Sequence, residues 1–256
     1  MKFIILGCGS SMGVPRADGF YGNCDPKNNK NNRLRCSALI KSKNETILID
    51  TSPDLRQQLI NNNIKKIDKV LYSHMHADQT HGINDLRVFY IKKKKPIPVY
   101  ADKPTRIYLM KTFGYCFKNY SREYPATLKL NPLKKNLFIK DGNKKITIKP
   151  ITVKHGKVNS ICYIIDKKLA YISDVSEIKN KDFKKLKNLK YLIIDCLWID
   201  KHPSHFNLED CLNIVKKLNP KKTILTNLSP VLDYNHLKKI LPLNVYPAYD
   251  GLKVIL

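Results

Sequence analysis

The sequence predicts an α/β fold in which two β-sheets pack against each other and helices cover their outer sides. The order of the predicted elements supports this fold, and the composition supports a single domain. Many extended apolar runs come first with few helical patterns between them, and strands and helices then alternate. No Ser/Gly-rich linker and no shift in composition marks a boundary, so a single domain over residues 1–256 is expected. With 43% hydrophobic residues, the chain can bury a core of ordinary size.

Strands are predicted where apolar residues form short extended runs. These runs cover residues 2–6, 36–41, 45–50, 67–73, 97–101, 146–153, 160–165, 169–173, 190–196, 222–226 and 252–256. Helices are predicted where apolar residues recur at helical spacing, at 53–61, 83–91, 104–113, 179–187, 207–218 and 235–240. Pro53 takes a first-turn position of its helix, and Asn207 offers an N-cap that is followed by acidic residues.

The formal net charge of +26 at pH 7 has two explanations, and both stay open. A basic surface is typical of proteins that bind nucleic acid or another polyanion. Alternatively, the excess reflects codon bias, because most of the basic residues are Lys, Asn is also abundant, and the lysines are spread along the whole chain. In either case, such a surface steers anionic substrates toward the protein.

The sequence predicts a cytoplasmic protein without a membrane partner. No apolar stretch reaches the ~18 residues that a membrane span requires. The apolar run at 2–6 is too short for a signal peptide and is better explained as a first strand. The seven cysteines form no Cys-x-x-Cys pair, so we expect reduced and mostly buried thiols.

Four side chains of metal-binding type lie within eight residues where the run at 67–73 ends: His74, His76, Asp78 and His81. The end of a strand is a usual place for chemistry in α/β proteins. Two imidazoles with carboxylates suit zinc, and iron or manganese less specifically. A surface loop that holds these histidines by chance is the alternative, but the chain has only seven histidines in all.

Other strand ends carry residues that could complete such a site. His155 and Asp174 each follow a predicted strand, although either residue alone would be typical of a surface loop. His205 could donate a proton to a leaving group, because imidazole titrates near neutrality. Asp50 either orients a metal-bound imidazole or simply belongs to a turn.

Taken together, these motifs resemble the metallo-β-lactamase superfamily over nearly the whole chain. The nearest branch holds phosphoribosyl cyclic-phosphate phosphodiesterases and the tRNA 3′-processing ribonuclease Z. The resemblance rests on an ordered set of motifs: Leu6–Pro15, Ile49–Arg56, His74-x-His-x-Asp78, Gly82–Arg87, His155-Gly156, Ser173-Asp174, His205 and Leu232–Tyr234. It implies a four-layer αββα sandwich, formed by two mixed sheets with outer helices, and metals at one edge of the sheets.

The resemblance also implies the metal ligands. One metal would bind His74, His76 and His155, and Asp174 would bridge to a second metal that also uses Asp78. The family places histidines at positions 79 and 227, where this chain has Gln79 and Asn227. An amide oxygen is a weak zinc ligand, so we expect one tight site, with the second weak or absent. His81, three positions after Asp78, should lie about a helical turn away from the metals.

These features lead to a hypothesis of a metal-dependent hydrolase that cleaves a small cyclic or nucleotide-like phosphodiester with a metal-bound water. Asp78 would orient or deprotonate that water, and His205 would protonate the leaving oxygen. The cofactor would be Zn²⁺, with Mn²⁺ or Fe²⁺ as alternatives, and the two substitutions at positions 79 and 227 could impair the activity. Two alternatives remain: an endonuclease acting on tRNA or another RNA, and a catalytically silent member that binds an anion or a protein. The resemblance also allows a homodimer.

Overall fold

A computed structural model describes all 256 residues, Met1–Leu256, and contains two seven-stranded β-sheets. The strands are β1 (Lys2–Gly7), β2 (Ser37–Lys41), β3 (Thr46–Ile49), β4 (Lys69–Leu71), β5 (Ile97–Ala101), β6 (Leu128–Pro132), β7 (Leu137–Asp141), β8 (Lys144–His155), β9 (Val158–Ile165), β10 (Leu169–Ile172), β11 (Tyr191–Asp195), β12 (Lys222–Thr226), β13 (Val245–Pro247) and β14 (Lys253–Ile255). The spatial order is β14-β1-β2-β3-β4-β5-β6 in the first sheet and β13-β12-β11-β10-β9-β8-β7 in the second.

Seven α-helices complete the fold: α1 (Leu55–Asn61), α2 (Ala77–Thr80), α3 (Arg87–Lys93), α4 (Lys103–Phe113), α5 (Asn180–Leu186), α6 (Leu208–Leu218) and α7 (Tyr234–Ile240). Three short 3₁₀ helices lie at Asn29–Asn31, Ile83–Leu86 and Gly114–Cys116. None of the helices has the length and apolar character that crossing a membrane requires.

Strand β1 shows how the sheets and helices form layers. Phe3 and Ile5 belong to a buried cluster that includes Tyr163 and Tyr171 of the second sheet, whereas Ile4 and Leu6 belong to a cluster with the helices of the first sheet. Successive side chains of a strand point to opposite faces, so a strand between two apolar layers must be apolar on both.

The outer layers follow from the same arrangement. One buried cluster joins the first sheet to α1, α3 and α4, and another joins the second sheet to α5, α6 and α7. The order of layers is therefore helix, sheet, sheet, helix. Both sheets contain parallel and antiparallel pairs. The αββα prediction is confirmed.

Helix boundaries follow local capping signals. The Asn207 side chain accepts a hydrogen bond from the backbone N–H of Asp210, as the N-cap prediction for α6 requires. The first-turn assignment of Pro53 is wrong, because α1 begins only at Leu55. Asp54, the residue between them, does not cap α1 with its side chain and instead binds the Arg35 guanidinium, with the shortest N···O distance at 2.6 Å.

The topology brings several strand ends to one edge of the sandwich. Strands β10, β11 and β12 run parallel, so their carboxyl ends meet at the same edge of the second sheet. The segments that follow these three ends begin at Ser173, Cys196 and Asn227.

All seven cysteines are buried and free, as expected for thiols that fill apolar space.

Gly82 lies in the turn between α2 and the 3₁₀ helix Ile83–Leu86, where it packs against the backbone of the segment that follows β3. Its N–H donates to the Thr51 carbonyl, and a Cβ added at Gly82 would lie 1.9 Å from the Ser52 carbonyl oxygen. We expect Gly82→Ala to lower the free energy of unfolding by about 3 kcal/mol in urea denaturation. Gly114→Ala is the matched control, because nothing lies within 4 Å of its added Cβ. Equal effects of the two substitutions would contradict the packing argument.

Candidate metal centre

Three imidazoles converge where β4 and β8 end. The distance from His74 Nε2 to His76 Nδ1 is 3.0 Å, and that from His155 Nε2 to His76 Nδ1 is 3.2 Å. Two nitrogens bound to one tetrahedral zinc ion at about 2.0–2.1 Å would lie roughly 3.3 Å apart. The spacing therefore fits three ligands of a single ion.

The remaining ring nitrogens fix two of these imidazoles. His155 Nδ1 donates to the Ser204 carbonyl at 2.7 Å, which leaves its Nε2 unprotonated and free to bind a metal. His74 Nδ1 lies 3.0 Å from the Ser73 hydroxyl. Burial lowers the pKa of His74 to about 3, so this imidazole is neutral at physiological pH. A neutral ring with an oriented lone pair is what a metal ligand requires.

Asp174 lies next to the imidazoles at the end of β10. Its carboxylate and the rings of His155 and His205 bring their ligand atoms within 4.8 Å of one another. Burial alone would raise the pKa of Asp174, but the imidazoles of His74, His155 and His205 attract its carboxylate when they carry a proton, and the pKa lies below its usual value. The structure therefore brings His74, His76, His155 and Asp174 to one place, with Asp174 as the carboxylate.

The side-chain amides of Gln79 and Asn227 both donate to Asp174. Gln79 Nε2 lies 3.2 Å from Oδ2, and Asn227 Nδ2 lies 3.3 Å from Oδ1 and 3.1 Å from the Ser173 carbonyl. Gln79 and Asn227 are almost fully buried. Each carboxylate oxygen of Asp174 thus already accepts a hydrogen bond from a buried side-chain amide.

Asp78 lies in the first turn of α2 and lines a cavity of about 620 Å³ together with His76, His155 and Asp174. Burial and the nearby Asp174 carboxylate raise the pKa of Asp78. Its carboxylate is not part of the groups with ligand atoms within 4.8 Å of one another. Asp78 therefore faces the same space as the imidazoles from a greater distance.

His205 lines the same cavity and pairs with Asp195, the last residue of β11. His205 Nδ1 donates to Asp195 Oδ2 at 2.7 Å, and that oxygen also accepts the backbone N–H of Val175 at 2.9 Å. Burial opposes the charged form of His205, yet the Asp195 carboxylate raises the pKa of His205 to about 9. The arrangement keeps a proton on Nδ1, so Nε2 is the nitrogen that takes up or releases the second proton of the ring.

Sequence reasoning missed Asp195. A signal was available, because Asp195 lies near the end of the predicted run 190–196, just as Asp50 ends the run 45–50 and Asp174 follows the run 169–173. Asp50 has a φ of 63° and accepts the backbone N–H of Ser73 at 2.7 Å, so it holds the chain immediately before His74 rather than an imidazole.

The other histidines lie outside the cluster. His81 Nε2 lies 2.9 Å from the Tyr108 hydroxyl, and its ring packs against Phe113, so it is held away from the imidazoles. His202 stands on the cavity rim with its ring 5.2 Å from that of His205. His236 is exposed on α7.

Comparison with known proteins identifies the family of the chain. A family model described as the beta-lactamase superfamily domain matches residues 45–226, a range that includes the three converging imidazoles and Asp174 and ends one residue before Asn227. The chain belongs to the metallo-β-lactamase superfamily. The resemblance seen in the sequence is thereby confirmed.

Solved structures extend the match to the whole chain. A diphosphatase from the PhnP family is 30% identical, with a TM-score of 0.89 over 100% of this chain and 97% of that one. Zn²⁺-bound PqqB from Methylobacterium extorquens is 15% identical with a TM-score of 0.77, over 100% of both chains. The short form of human tRNase Z is 17% identical with a TM-score of 0.69, over 100% and 99%. The last two show the shared fold alone.

Among curated proteins, an octanoyltransferase of Porphyromonas gingivalis is 32% identical to this chain over 262 aligned residues. The match covers 100% of this chain and 52% of that protein. The chain thus spans about half the length of this relative.

Proposed function

We propose that this member of the metallo-β-lactamase superfamily is a metal-dependent hydrolase of a small phosphodiester, cyclic or nucleotide-like. The observation that carries the proposal is the convergence of three imidazole nitrogens, with Asp174 beside them, on one end of a cavity that also holds His205. The 30% identity to a PhnP-family diphosphatase over the whole chain supports chemistry at phosphorus.

The donor set fits one divalent ion. His74, His76, His155 and Asp174 would hold it, and three nitrogens with one carboxylate oxygen suit zinc, with manganese or iron(II) as alternatives. When bound, such an ion supplies a Lewis acid that acidifies water and polarises a phosphoryl oxygen.

A second ion would bind weakly or not at all. Its place would lie on the side of Asp174 that the amides of Gln79 and Asn227 occupy, at 3.2 and 3.3 Å. An amide offers only a neutral, weak oxygen ligand, whereas an imidazole offers a strong nitrogen ligand. The two amides would instead donate hydrogen bonds to Asp174.

Two groups would move protons. Asp78 faces the cavity and would orient or deprotonate the attacking water; its raised pKa suits a general base. His205 would protonate the departing oxygen through Nε2, while Asp195 holds Nδ1 and fixes the ring orientation. Asp195 is thus a positioning residue.

The cavity rim would hold the anionic substrate. Lys157 and Lys201 line it and form no ion pair in the structure, so their ammonium groups are available to phosphate. Trp198 lines the same rim and offers an aromatic surface for the group attached to phosphorus. A net charge of +26 steers such substrates toward the site.

The role of His205 distinguishes two kinds of substrate. Bis(p-nitrophenyl) phosphate releases a weakly basic phenolate that leaves without a proton, whereas a 2′,3′-cyclic nucleotide must release an alkoxide. We expect the metal-loaded protein to hydrolyse both, and His205→Ala to lower kcat on the cyclic nucleotide about 10²–10⁴-fold with a much smaller loss on the phenyl ester. Steady-state kinetics on both substrates measures this.

His236→Ala is the control, because this exposed histidine lies outside the cavity. Equal losses on both substrates would contradict the proton-donor role. A wild-type protein that carries metal yet cleaves no phosphodiester would contradict the proposed function.

An RNA endonuclease is the second candidate. The +26 charge and the shared fold with tRNase Z are the observations that favour it. The affinity of such an enzyme for tRNA would fall steeply with salt, since each phosphate contact releases counterions.

A further inference from the structure

A second cavity lies outside the metal centre and shares no residue with it. It has a volume of about 720 Å³ and is an open groove lined by residues of the 3₁₀ helix Ile83–Leu86, α3, the 3₁₀ helix Gly114–Cys116 and the loop before β6. We call it the tyrosine groove. Its volume falls within the range of about 300–1,000 Å³ that is typical of small-molecule sites. Nothing in the proposed hydrolase chemistry uses it.

Four tyrosines line the groove: Tyr90, Tyr115, Tyr120 and Tyr124. Tyr115, Tyr120 and Tyr124 are 51%, 64% and 69% exposed, so their rings are accessible to a ligand. Ile91, also in the lining, is 50% exposed. Large apolar side chains that are gathered at one concave place on the surface mark a binding site more often than scattered ones do.

Three cations share the lining: Arg87, Lys94 and Arg122. None of them forms an ion pair, and their side chains donate no hydrogen bond in the structure. The lining contains one carboxylate, Glu123, which already accepts the Ser121 hydroxyl at 2.7 Å. The groove therefore carries an excess of unpaired positive charge beside its aromatic rings.

One tyrosine is fixed in place. The Tyr115 hydroxyl donates to Asn84 Oδ1 at 2.6 Å, which anchors its ring to the 3₁₀ helix Ile83–Leu86. A ring whose polar end is already bonded offers its face to a ligand without losing much conformational freedom. The groove thus presents at least one pre-oriented stacking surface.

Aromatic faces beside unpaired cations match one ligand chemistry, a planar base that carries phosphate. Bases stack on tyrosine rings, and guanidinium groups bind phosphate oxygens in a bidentate manner. A second copy of this chain fits poorly, because two molecules of net charge +26 would meet with cations on both sides. The volume of the groove suits one nucleotide better than an extended strand.

We propose that the tyrosine groove binds a free nucleotide, with its base stacked on the exposed tyrosine rings and its phosphates held by Arg87, Lys94 and Arg122. This site is separate from the metal centre. Its occupation therefore does not depend on the proposed hydrolase function.

Titration calorimetry of the full chain with ATP, adenosine and tripolyphosphate tests the proposal. We expect ATP to bind more tightly than either fragment. Tyr124→Ala should weaken ATP binding about fivefold or more, and Tyr124→Phe should preserve it, because the ring and not the hydroxyl carries the stacking. Arg122→Ala should weaken ATP and tripolyphosphate alike. Tyr246→Ala is the matched control, since this tyrosine is 41% exposed on β13, outside the groove.

Binding in the cavity of the metal centre is distinguished by repeating the titration with Lys201→Ala, which should leave the affinity for ATP unchanged, because Lys201 lines that cavity and not the tyrosine groove. The proposal is overturned if ATP does not bind at millimolar concentration, or if tripolyphosphate binds as tightly and Tyr124→Ala has no effect. It is also overturned if a single-stranded oligonucleotide binds and ATP fails to compete. A dimer that Tyr124→Ala dissociates would assign the groove to a second copy instead.

Discussion

Replacing His76 with alanine should remove the metal ion and abolish hydrolysis. His76 Nδ1 is the nitrogen that the other two imidazoles approach, at 3.0 and 3.2 Å. Loss of a group that only orients a ligand weakens metal binding by about 10–100-fold, so loss of a ligand itself should cost more than about 100-fold. His76 is exposed, whereas His74 is buried, so this substitution leaves no cavity in the core.

Metal analysis of the desalted protein and assay on bis(p-nitrophenyl) phosphate measure the effect of His76→Ala. We expect about one zinc ion per chain in the wild type and almost none in the His76→Ala variant. His81→Ala is a matched control from the same run of sequence, because His81 contacts Tyr108 and Phe113 instead of the cluster. A His76→Ala protein that keeps both its metal and its turnover would contradict the assignment of this site.

The central strands could be predicted from the sequence, and three edge strands could not. The predicted elements do not include β6, β7 and β13, each of which is the last strand at one side of its sheet. Edge strands have one neighbour and partial exposure, so they tolerate lysine and proline and lose the apolar run that identifies a central strand. The run Lys2–Gly7, by contrast, is buried on both faces apart from its first residue.

The metal-binding residue types were predictable because each follows a strand whose apolar run is easy to recognise. The contacts among them were not. His205 and Asp195 are ten positions apart and are joined by an irregular loop, so no periodicity predicts their 2.7 Å hydrogen bond. Gln79 lies in α2, which follows β4 of the first sheet, and Asn227 follows β12 of the second sheet. Only the packing of the two sheets therefore brings both amides to Asp174.

The two amides lead to the prediction of a gain of function. The double substitution Gln79→His with Asn227→His should raise the bound metal from about one to about two ions per chain, because each change replaces a weak neutral ligand with an imidazole. Asp78 and Asp174 would supply the carboxylates. The backbone allows the change at position 227: Asn227 has a φ of 60°, and His is among the residues that adopt this left-handed conformation more readily than most.

Metal analysis in the presence of a moderate chelator counts the tightly bound ions. Thermal unfolding at increasing zinc concentration detects a further, weaker ion, because an ion that binds only the native state raises the stability of the protein. Each single substitution supplies only one imidazole and should hold the second ion more weakly than the pair does. The carboxylate is tested separately: adding Asp78→Asn to the double variant should remove the second ion and leave the first.

The number of bound ions distinguishes two possible effects of having amides at positions 79 and 227. If they only replace ligands, the double variant binds two ions, and hydrolysis rises because two ions can stabilise both the attacking and the leaving oxygen. If instead they are needed to orient Asp174 by hydrogen bonds at 3.2 and 3.3 Å, the second ion is gained while the first is weakened. A stable double variant that still holds one ion, or a wild type that already holds two tightly, would show that the amides do not decide the number of metals.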